Sequence, residues 1–449
     1  MKILQVSHGL PPKENAGVEL YTFYLSQALA QLNHDVSIFC RDEAPAKEEF
    51  SSTEEIWRGL RVTRVVNNLT RISDPRIFYD NPFFDQVFLK VLRRDKPDLI
   101  HFQHFIALSA RLVRIAKEEG IPIVLTLHDF FILCHRTHLM KEDHRLCPGP
   151  LYGLECASCL GCPPPSQDLR TRFILRMKDR LSFPVIKWTK RFLIPTRSLD
   201  ERGYEVFHRY RFFYEILKCP DLLLVPSRFV QDAYLKYYPV LKRKMRILPL
   251  GIPPIQGEGA HRGRPPAFNG KVRFCYFGNI LPIKGLHVLL EAFKGLPQAK
   301  AHLTIFGGRT SWNGAYYDRI RQQATGLSVD FRDPFQREDL SAALQDQDVV
   351  VLPSICYETF SFVIREANRL GYPVIASRIG AIPEAMENGK NGFLFEPGNS
   401  EDLKNCLYRF VEKPELVQTL TSKVKGVRTM SEHAVELVEI YQRMIGKNR

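Results

Sequence analysis

Short apolar segments alternate with helical patterns along most of this chain, and that alternation limits the folds it can adopt. The strand patterns of the first half are KILQVSH (2–8), DVSIFC (35–40), DLIHFQH (98–104) and IPIVLTLH (121–128). Apolar residues recur at helical spacing between them, as in VELYTFYLSQALAQL (18–32). The alternation restarts at VRFCYFG (272–278) and continues to PVIAS (373–377). Strands separated by helices predict parallel sheets, so each half is expected to form an α/β domain.

A segment rich in Gly and Pro separates the two alternating regions. Residues 251–270 contain five Gly and four Pro, and we interpret them as a linker. With 449 residues the chain can hold two large domains, each with its own core. We therefore predict an N-terminal domain over 1–250, a C-terminal domain over 271–430, and a final helix over 431–449 that can cross back to the first domain.

The start of the chain and its hydropathy predict a cytoplasmic protein. MKILQVSHG (1–9) has the pattern of a strand, because it lacks the charged region and longer apolar run of a signal peptide. No stretch approaches the ~20 apolar residues that are needed to cross a bilayer. A hydrophobic content of 45% and a charged content of 25% are typical of globular proteins.

Two glutamates eight residues apart, Glu358 and Glu366, flank the most informative loop of the chain. The strand pattern DVVVLPS (348–354) precedes them, and a helical pattern that ends at Gly371 contains the second. Ligands of open α/β sheets bind at this edge. At the start of that helix, the backbone N–H groups of Thr359, Phe360 and Ser361 are expected to be free. Free N–H groups at a helix N-terminus predict a phosphate-binding site. A phosphate between two carboxylates suits a sugar nucleotide, and two glutamates on an ordinary surface helix are the alternative.

The wider sequence around this loop resembles the donor site of the retaining glycosyltransferases of family 4. The resemblance rests on an ordered set: FCYFGNILPIKGLHVLLEAF (274–293), GYPVIASRIGAIPEAM (371–386) and NGFLFEPGNSEDL (391–403). It implies the α/β fold called GT-B, in which two Rossmann-like domains face each other across a cleft. Residues 1–250 then form the acceptor side, and residues 271–430 bind the nucleotide sugar.

The resemblance also implies a grip on the diphosphate. Gly278 ends a strand pattern, and Lys284 follows it shortly before a helix. A Lys at this place would offset the charge on a departing nucleoside diphosphate, whereas a solvated surface Lys is the alternative. Many family members carry an Arg where this chain has Asn279, which can donate a hydrogen bond but brings no charge.

The same resemblance assigns roles to residues in the loop and the helix. Glu366 would bind the ribose hydroxyls, and Glu358 would bind hydroxyls of the transferred sugar. Phe360 and Ser361 would present backbone N–H groups to the donor, while the side chain of Phe360 suits the core. The catalytic set that the resemblance implies is His128, Lys284 and Glu358.

In the first half the resemblance is looser. PPKENAGVELYTFYLSQALAQLNHDVSIF (11–39) is similar to the opening loop and helix of the family, where Gly17 lets the backbone approach the substrate closely. The family usually has two adjacent Gly, whereas this chain has Ala16 and Gly17. His128, which precedes Asp129, matches the histidine that lies against the transferred sugar. A structural His at the end of a strand is the alternative.

The predicted function is transfer of a sugar, with retention of configuration, from a nucleoside-diphosphate sugar to a hydroxyl of a glycan or lipid-linked acceptor. This places the chain in polysaccharide biosynthesis for the cell envelope. No catalytic metal is expected, because Lys284 and the amides near Phe360 meet the charge of the leaving group. A GT-B hydrolase or epimerase of sugar nucleotides is one alternative. A non-catalytic sugar-nucleotide-binding partner in an assembly complex is another, favoured by Ala16 and Asn279.

A group of cysteines follows the predicted strand that ends in His128. Its members are Cys134, Cys147, Cys156, Cys159 and Cys162. In a cytosolic chain this spacing favours a metal over disulfides. The first four can supply a tetrahedral structural zinc site, Cys162 can replace one of them, and His135, His138 and His144 are further candidate ligands. An iron–sulfur cluster, a redox-labile disulfide and unligated thiols are the alternatives.

Residues 163–219 have no family motif and are strongly basic. Thirteen Lys or Arg stand against six Asp or Glu, so the segment carries +7 of the net charge of +14. Apolar and aromatic residues interleave with the basic ones, as in FILRMKDRLSFPVIKWTKRFLI (173–194) and YEVFHRYRFFYEIL (204–217). This basic helical pattern suits peripheral contact with an anionic membrane or a lipid-diphosphate acceptor. A helical pair packed on the domain is the alternative, and no nucleic-acid-binding motif appears.

Overall fold

The computed structural model contains two sheets with surrounding helices, one in each half of the chain. It describes residues 1–70, 75–150, 156, 159–160, 201–256, 270–311, 313–421 and 427–447. The α/β class predicted from the alternation of strands and helices is confirmed.

The first sheet is parallel apart from one edge strand. Its strands are β1 (Lys2–Ser7), β2 (Asp35–Asp42), β3 (Ser52–Trp57), β4 (Leu60–Val66), β5 (Leu99–Phe102), β6 (Ile123–Thr126), β7 (Leu222–Val225) and β8 (Met245–Ile247). Their order is β3-β4-β2-β1-β5-β6-β7-β8, and β3 pairs with β4 in antiparallel fashion. The helices of this half are α1 (Gly17–Gln31), α2 (Asp85–Asp95), α3 (Arg111–Glu118), α4 (Glu201–Ile216) and α5 (Arg228–Tyr237). The central strands are buried, as in sheets that helices cover on both faces.

The second sheet is parallel throughout. Its strands are β9 (Val272–Phe277), β10 (Ala301–Phe306), β11 (Val329–Arg332), β12 (Val349–Leu352), β13 (Val374–Ser377) and β14 (Gly392–Phe395), in the order β11-β10-β9-β12-β13-β14. The later helices are α6 (Leu286–Lys294), α7 (Gly314–Gln323), α8 (Leu340–Leu344), α9 (Phe362–Leu370), α10 (Ile382–Ala385), α11 (Ser400–Glu412), α12 (Leu416–Thr421) and α13 (Met430–Lys447).

In both sheets the strand order reverses at the first strand of the unit. In the first sheet, β1 lies between β2 and β5, and in the second, β9 lies between β10 and β12. Loops that leave neighbouring strands in opposite directions open a crevice at the carboxyl ends of those strands. The topology therefore places one ligand-binding edge beside β1 and β5 and another beside β9 and β12.

The last helix, α13, packs against α1 of the first half. The Tyr21 hydroxyl lies 2.7 Å from Nε2 of His433, and the Tyr441 hydroxyl lies 2.6 Å from Nδ1 of His101. Ile252, at the start of the predicted linker, is fully buried. The end of the chain thus joins the core of the first half, as a helix that crosses back would do.

Helix α4, at the end of the predicted basic insertion, packs into the first half. Phe213 and Ile216 are fully buried. The Arg209 guanidinium lies 4.6 Å from the centre of the Phe213 ring, and it donates a hydrogen bond of 3.3 Å to the carbonyl oxygen of Ile132. For this helix the structure supports the packed alternative, because its aromatic residues bury their apolar area inside the domain.

Several predicted features fall outside the described residues. They include residues 161–200, which contain Cys162 and most of the basic insertion, and residues 257–269 of the predicted linker. Among the helices that the structure describes, none has the length and hydropathy required to cross a membrane.

Candidate functional site

Lys284 and Glu358 form an ion pair at the carboxyl edge of the second sheet. Nζ of Lys284 lies 2.7 Å from Oε1 of Glu358, and the Ser354 hydroxyl donates a hydrogen bond of 2.7 Å to the same oxygen. Lys284 ends a short 3-10 helix after β9, whereas Ser354 and Glu358 follow β12. Because β9 and β12 are neighbours, their loops meet at the edge where ligands bind.

Both partners of this ion pair are charged at neutral pH. Burial opposes the charge, but the Glu358 carboxylate raises the pKa of Lys284. In return, the Lys284 ammonium and the Ser354 hydroxyl lower the pKa of Glu358 despite its burial. The exposed fraction is 27% for the Lys284 side chain and 13% for that of Glu358. Because it is partly exposed, the Lys284 ammonium can still donate hydrogen bonds to a diphosphate as a second partner.

The backbone of Glu358 packs against Gly380 too closely for any side chain. Gly380 has a φ of +59°, and a Cβ atom on it would lie 2.4 Å from the carbonyl oxygen of Glu358. The N–H of Ala381 donates a hydrogen bond of 2.7 Å to that oxygen. Gly380 therefore positions the Glu358 loop, although our sequence reasoning assigned it no role within 371–386.

Helix α9 begins directly after Ser361, and the residues before it carry polar groups that have no hydrogen-bond partner among the described residues. Ser361 has a φ of +57°, and its hydroxyl is buried without a hydrogen-bond partner among the described residues. Within the residues that the structure describes, the backbone N–H groups of Thr359, Phe360 and Ser361 donate no hydrogen bond. Free donors at a helix N-terminus form an anion-binding site.

The loop that was predicted to grip the diphosphate is open to solvent. Gly278 and Asn279 are both exposed, and the Tyr276 hydroxyl donates a hydrogen bond of 2.7 Å to the carbonyl oxygen of Asn279. On the other side of this edge, the Arg365 guanidinium lies 3.7 Å from the centre of the Phe360 ring and donates a hydrogen bond to the Phe360 carbonyl oxygen. Phe360 is itself 3% exposed and belongs to the core.

Glu366 contacts a different cation, Arg337. The two side chains form an ion pair in which 6% of Glu366 and 12% of Arg337 are exposed. Arg337 begins a short 3-10 helix after β11, so the pair depends on how that loop packs against α9. Sequence reasoning missed Arg337 because no local motif connects the two residues. The structure thus gives the two predicted donor-binding glutamates separate cationic partners.

His128 lies after β6 in the first sheet. Its Nε2 is 2.8 Å from Oε1 of Gln103, and its ring centre is 5.0 Å from that of Tyr21. Burial lowers the pKa of His128 to about 3, so the imidazole is neutral at pH 7 and donates Nε2–H to Gln103. Within the described residues, no contact joins His128 to Lys284 or Glu358.

The two halves of the chain touch around these residues. A Cβ atom on Gly17 would lie 3.4 Å from the Phe362 ring of α9. The Ser227 hydroxyl donates a hydrogen bond of 2.8 Å to the carbonyl oxygen of Thr359. The Glu384 carboxylate accepts hydrogen bonds of 2.8 Å from the first two N–H groups of α5. The cleft residues of one half therefore lie within reach of those of the other.

Four of the five cysteines in the predicted metal site are described. Cys134 and Cys147 are each 8% exposed, and Cys156 and Cys159 are partly exposed. The N–H of Gly149 donates a hydrogen bond of 3.4 Å to Sγ of Cys147. In the described part of the chain, no three His, Cys, Asp or Glu side chains are arranged to hold a metal ion. A zinc site therefore stays a prediction.

Comparison with protein families connects these features to one family. The model described as Glycosyltransferase Family 4 matches residues 15–255. The chain belongs to glycosyltransferase family 4. The model described as Glycosyl transferases group 1 matches residues 259–426 of this glycosyltransferase. The two matches correspond to the two α/β halves, and the family resemblance inferred from the sequence is confirmed.

Curated relatives share part of the chain. The glycosyltransferase is 30% identical over 194 residues to the sulfoquinovosyl transferase SQD2 of Arabidopsis thaliana, which covers 41% of this chain and 36% of the relative. It is 27% identical over 217 residues to the D-inositol 3-phosphate glycosyltransferase of Streptomyces avermitilis, which covers 45% of this chain and 47% of the relative. Each match thus spans less than half of the length of the relative.

Solved structures match the whole chain at low identity. Sucrose-phosphate synthase from Thermosynechococcus elongatus superposes with a TM-score of 0.66 at 21% identity and covers 99% of both chains. Anabaena Alr3699/HepE in complex with UDP and glucose has a TM-score of 0.61 at 16% identity and covers 98% of this chain and 99% of its own. With the family match, these likenesses confirm the GT-B fold.

Proposed function

We propose that this family 4 member transfers a sugar, with retention of configuration, from a nucleoside-diphosphate donor to a hydroxyl group of a glycan or lipid-linked acceptor. The observation that carries the proposal is the Lys284–Glu358 ion pair beside the start of α9. A cation, a carboxylate and unpaired N–H donors occur together there. These are the groups that a diphosphate and its adjoining sugar need.

In this proposal the donor lies along the carboxyl edge of the second sheet. The N–H groups of Thr359, Phe360 and Ser361 donate hydrogen bonds to phosphate oxygens. Glu358 accepts hydrogen bonds from hydroxyls of the sugar, and Glu366 accepts them from the ribose. The ion pair with Arg337 orients Glu366 for that contact.

Negative charge develops on the diphosphate as its bond to the sugar breaks. Lys284 stabilises that charge more strongly in the transition state than in the bound donor, which is the condition for catalysis. The acceptor oxygen attacks from the face that the diphosphate leaves, so configuration is retained without a protein nucleophile. The neutral imidazole of His128 can lie against the sugar without competing for the diphosphate. Catalysis in this scheme uses no metal ion.

Support for a nucleotide-sugar donor comes from the family and from its structures. The Anabaena protein was solved with UDP and glucose. The curated relatives are named for different reactions, sulfoquinovosyl transfer and glycosyl transfer to D-inositol 3-phosphate. The names of these relatives thus agree on glycosyl transfer and differ in the substrates.

For the acceptor we propose a glycan or lipid carrier of cell-envelope polysaccharide synthesis, reached from the cytoplasmic side of a membrane. The support is the charge of +6 in residues 163–200, where nine Lys or Arg stand against three Asp or Glu. Each Lys or Arg near an anionic surface contributes about 1 kcal/mol to the free energy of membrane binding, and salt screens this attraction.

A variant in which four basic residues are changed to Gln tests the membrane contact: Arg176, Lys178, Lys187 and Lys190. It should bind anionic vesicles poorly and keep its nucleotide affinity, and vesicle binding equal to that of the wild type would refute the membrane contact.

A thermal-shift screen tests the donor proposal. Sugar nucleotides with uridine, adenosine, guanosine and thymidine bases are added to the protein, with the free sugars as controls. A donor that binds only the folded state stabilises it by about 2.7 kcal/mol at a concentration of 100 times its Kd. At least one sugar nucleotide should raise Tm while its free sugar does not. If no sugar nucleotide raises Tm, the proposed function is wrong.

A further inference from the structure

Two imidazole–carboxylate pairs lie side by side at the carboxyl edge of the first sheet. His8, directly after β1, has its Nε2 2.8 Å from Oε1 of Glu19 in the first turn of α1. His104, after β5, has its Nε2 3.1 Å from Oδ2 of Asp129, after β6. The centres of the two imidazole rings are 4.4 Å apart. The pairs therefore occupy the crevice beside β1 and β5, where sheets of this topology bind ligands.

The two pairs differ in the hydrogen bonds of their remaining nitrogen and oxygen atoms. His104 uses both ring nitrogens, because its Nδ1 accepts a hydrogen bond of 3.2 Å from the N–H of Ile106. In contrast, Nδ1 of His8 and Oε2 of Glu19 are buried and have no hydrogen-bond partner among the described residues. The Glu19 side chain is 6% exposed. Buried polar atoms without partners are unfavourable, so a ligand that pairs with both would bind well here.

The protonation states make both unpaired atoms hydrogen-bond acceptors. Burial and the neighbouring His104 lower the pKa of His8, so its imidazole is neutral at pH 7. Burial opposes ionisation of Glu19, but the hydrogen bond from His8 lowers the pKa of Glu19 and keeps it a carboxylate. A neutral His8 must carry its proton on Nε2 to donate to that carboxylate. This leaves a lone pair on Nδ1.

The surroundings define which ligand fits. Asp129 is a second carboxylate in the cluster, because His104 lowers its pKa to about 2 despite burial. Two carboxylates next to a neutral imidazole repel anions. Gly17, two residues before Glu19, lies against the first turn of α9, where the donor-binding loop ends. The ligand must therefore supply hydrogen-bond donors, carry no negative charge and lie next to the donor.

We propose that Nδ1 of His8 and Oε2 of Glu19 bind two neighbouring hydroxyl groups of the acceptor, so that the part of the acceptor next to the reacting oxygen is a neutral sugar or polyol. The proposal rests on the proposed function, since it names the substrate class for the acceptor side of the same cleft. A charged phosphate of a lipid-linked acceptor would have to lie outside this crevice. His8 and Glu19 act here as binding residues that orient a hydroxyl, and no proton transfer is assigned to them.

The first experiment needs no donor and uses glycerol, a simple vicinal diol, as the probe. In protein labelled with ¹⁵N in histidine, the wild type should show His8 protonated at Nε2, and its Nδ1 resonance should move as glycerol is added. Glu19→Gln should weaken that response. A His8 protonated at Nδ1, or a resonance that glycerol does not move, would overturn the proposal. Stronger binding of ethanolamine than of glycerol would overturn the neutral class of ligand.

The second experiment measures transfer to glycerol from the donor that the thermal-shift screen identifies. His8→Gln keeps an N–H donor for Glu19 but replaces the acceptor at Nδ1 with a carbonyl oxygen that the rigid ring no longer holds in place. The KM for glycerol should rise about fivefold to tenfold, as expected for loss of one hydrogen bond. The Kd of the nucleoside diphosphate should not change. An unchanged KM, or an equal loss of nucleotide affinity, would contradict the proposal.

A matched control separates this site from general effects of losing a His–carboxylate pair. Nε2 of His302 lies 3.3 Å from Oδ2 of Asp330 at the other end of the second sheet, where β10 begins. His302→Gln should leave both the KM for glycerol and the nucleotide affinity at wild-type values. Failure of the donor screen would refute the proposed function, whereas a failed ¹⁵N experiment with a functioning donor site would refute only this inference.

Discussion

On the second-domain side of the cleft, Lys284 and Glu358 form an ion pair, whereas on the first-domain side His128 and Gln103 form a hydrogen bond between uncharged groups. Burial acts against charge on both sides. Glu358 overcomes that effect and raises the pKa of Lys284, whereas burial outweighs the attraction of Asp129 and lowers the pKa of His128 to about 3. One side therefore retains a cation for an anionic ligand, and the other presents neutral imidazoles beside the carboxylates of Glu19 and Asp129.

The difference separates two tasks of a transfer reaction. A partly buried ion pair gains little stability, because desolvation offsets the attraction between the charges. Lys284 and Glu358 are therefore better explained by binding of a charged donor than by folding. The neutral imidazoles of His8 and His128 suit hydroxyl groups instead. The following changes should affect the two sides to different degrees.

The largest effect should follow Lys284→Ala. Loss of the cation removes stabilisation of the departing diphosphate, so kcat at saturating donor should fall. The expected factor is about 10²–10³, as for the removal of hydrogen-bond donors that stabilise negative charge in other transition states. Lys294→Ala is the matched control, because Lys294 pairs with Glu291 on the exposed face of α6. A Lys284→Ala protein with the kcat of Lys294→Ala would show that the charged side of the cleft has no catalytic role.

A smaller effect, on binding, should follow Glu366→Ala. Charge-assisted hydrogen bonds to the ribose contribute roughly 1.5–3 kcal/mol, so the Kd of the donor nucleotide should rise by a corresponding factor. Calorimetry with the nucleoside diphosphate and with its 2′,3′-dideoxy form checks the cause. The variant should lose affinity for the first and little for the second. Equal losses for both would place Glu366 away from the ribose.

Gly380→Ala should destabilise the protein and disturb the donor side alone. A Cβ atom at this position meets the Glu358 backbone and also requires a strained φ, which together should cost about 1–3 kcal/mol of unfolding free energy. Gly389→Ala is the control for the strain, since Gly389 has a φ of +79° and no atom within 4 Å of an added Cβ. Nucleotide affinity should fall in Gly380→Ala and stay unchanged in Gly389→Ala. Identical behaviour of the two variants would mean that Gly380 does not position Glu358.

The cysteine cluster should matter least for either side of the cleft. If Cys134, Cys147, Cys156 and Cys159 bind structural zinc, protein prepared under reducing conditions should contain about one zinc per chain, since such sites take four ligands. Cys156→Ser with Cys159→Ser should lose the metal, lower Tm and keep the nucleotide affinity. Elemental analysis that finds neither zinc nor iron in the wild type would reject a metal site.

The fold followed from local patterns, because each strand–helix unit has its own periodicity. The α9 helix shows this clearly, since the predicted helix that contains Glu366 and ends at Gly371 agrees with the structure. The basic stretch at 204–217 was harder, because a helix with mixed aromatic and basic residues has the same pattern on a membrane as in a core. The structure shows that Arg209 packs among aromatic rings, and this contact, which the sequence does not reveal, assigns the helix to the core.

The candidate site could be predicted only in part. Lys284 and Glu358 were each found through a motif, but their direct contact was not, because it depends on the pairing of β9 with β12. Arg337 and His8 were missed for the same reason, since each meets its carboxylate across a tertiary contact. Local sequence reports which residue types stand at strand ends, and the packing of the strands determines which of them meet.

The configuration of the product tests directly whether this protein transfers a sugar with retention. The donor identified by the thermal-shift screen is incubated with protein and acceptor, and ¹H NMR follows the anomeric signal as the nucleoside diphosphate is released. Retaining transfer should give a new glycoside with the anomeric configuration of the donor, formed in equal amount to the diphosphate. An inverted glycoside, free sugar as the sole product, or a bound donor that never turns over would contradict it.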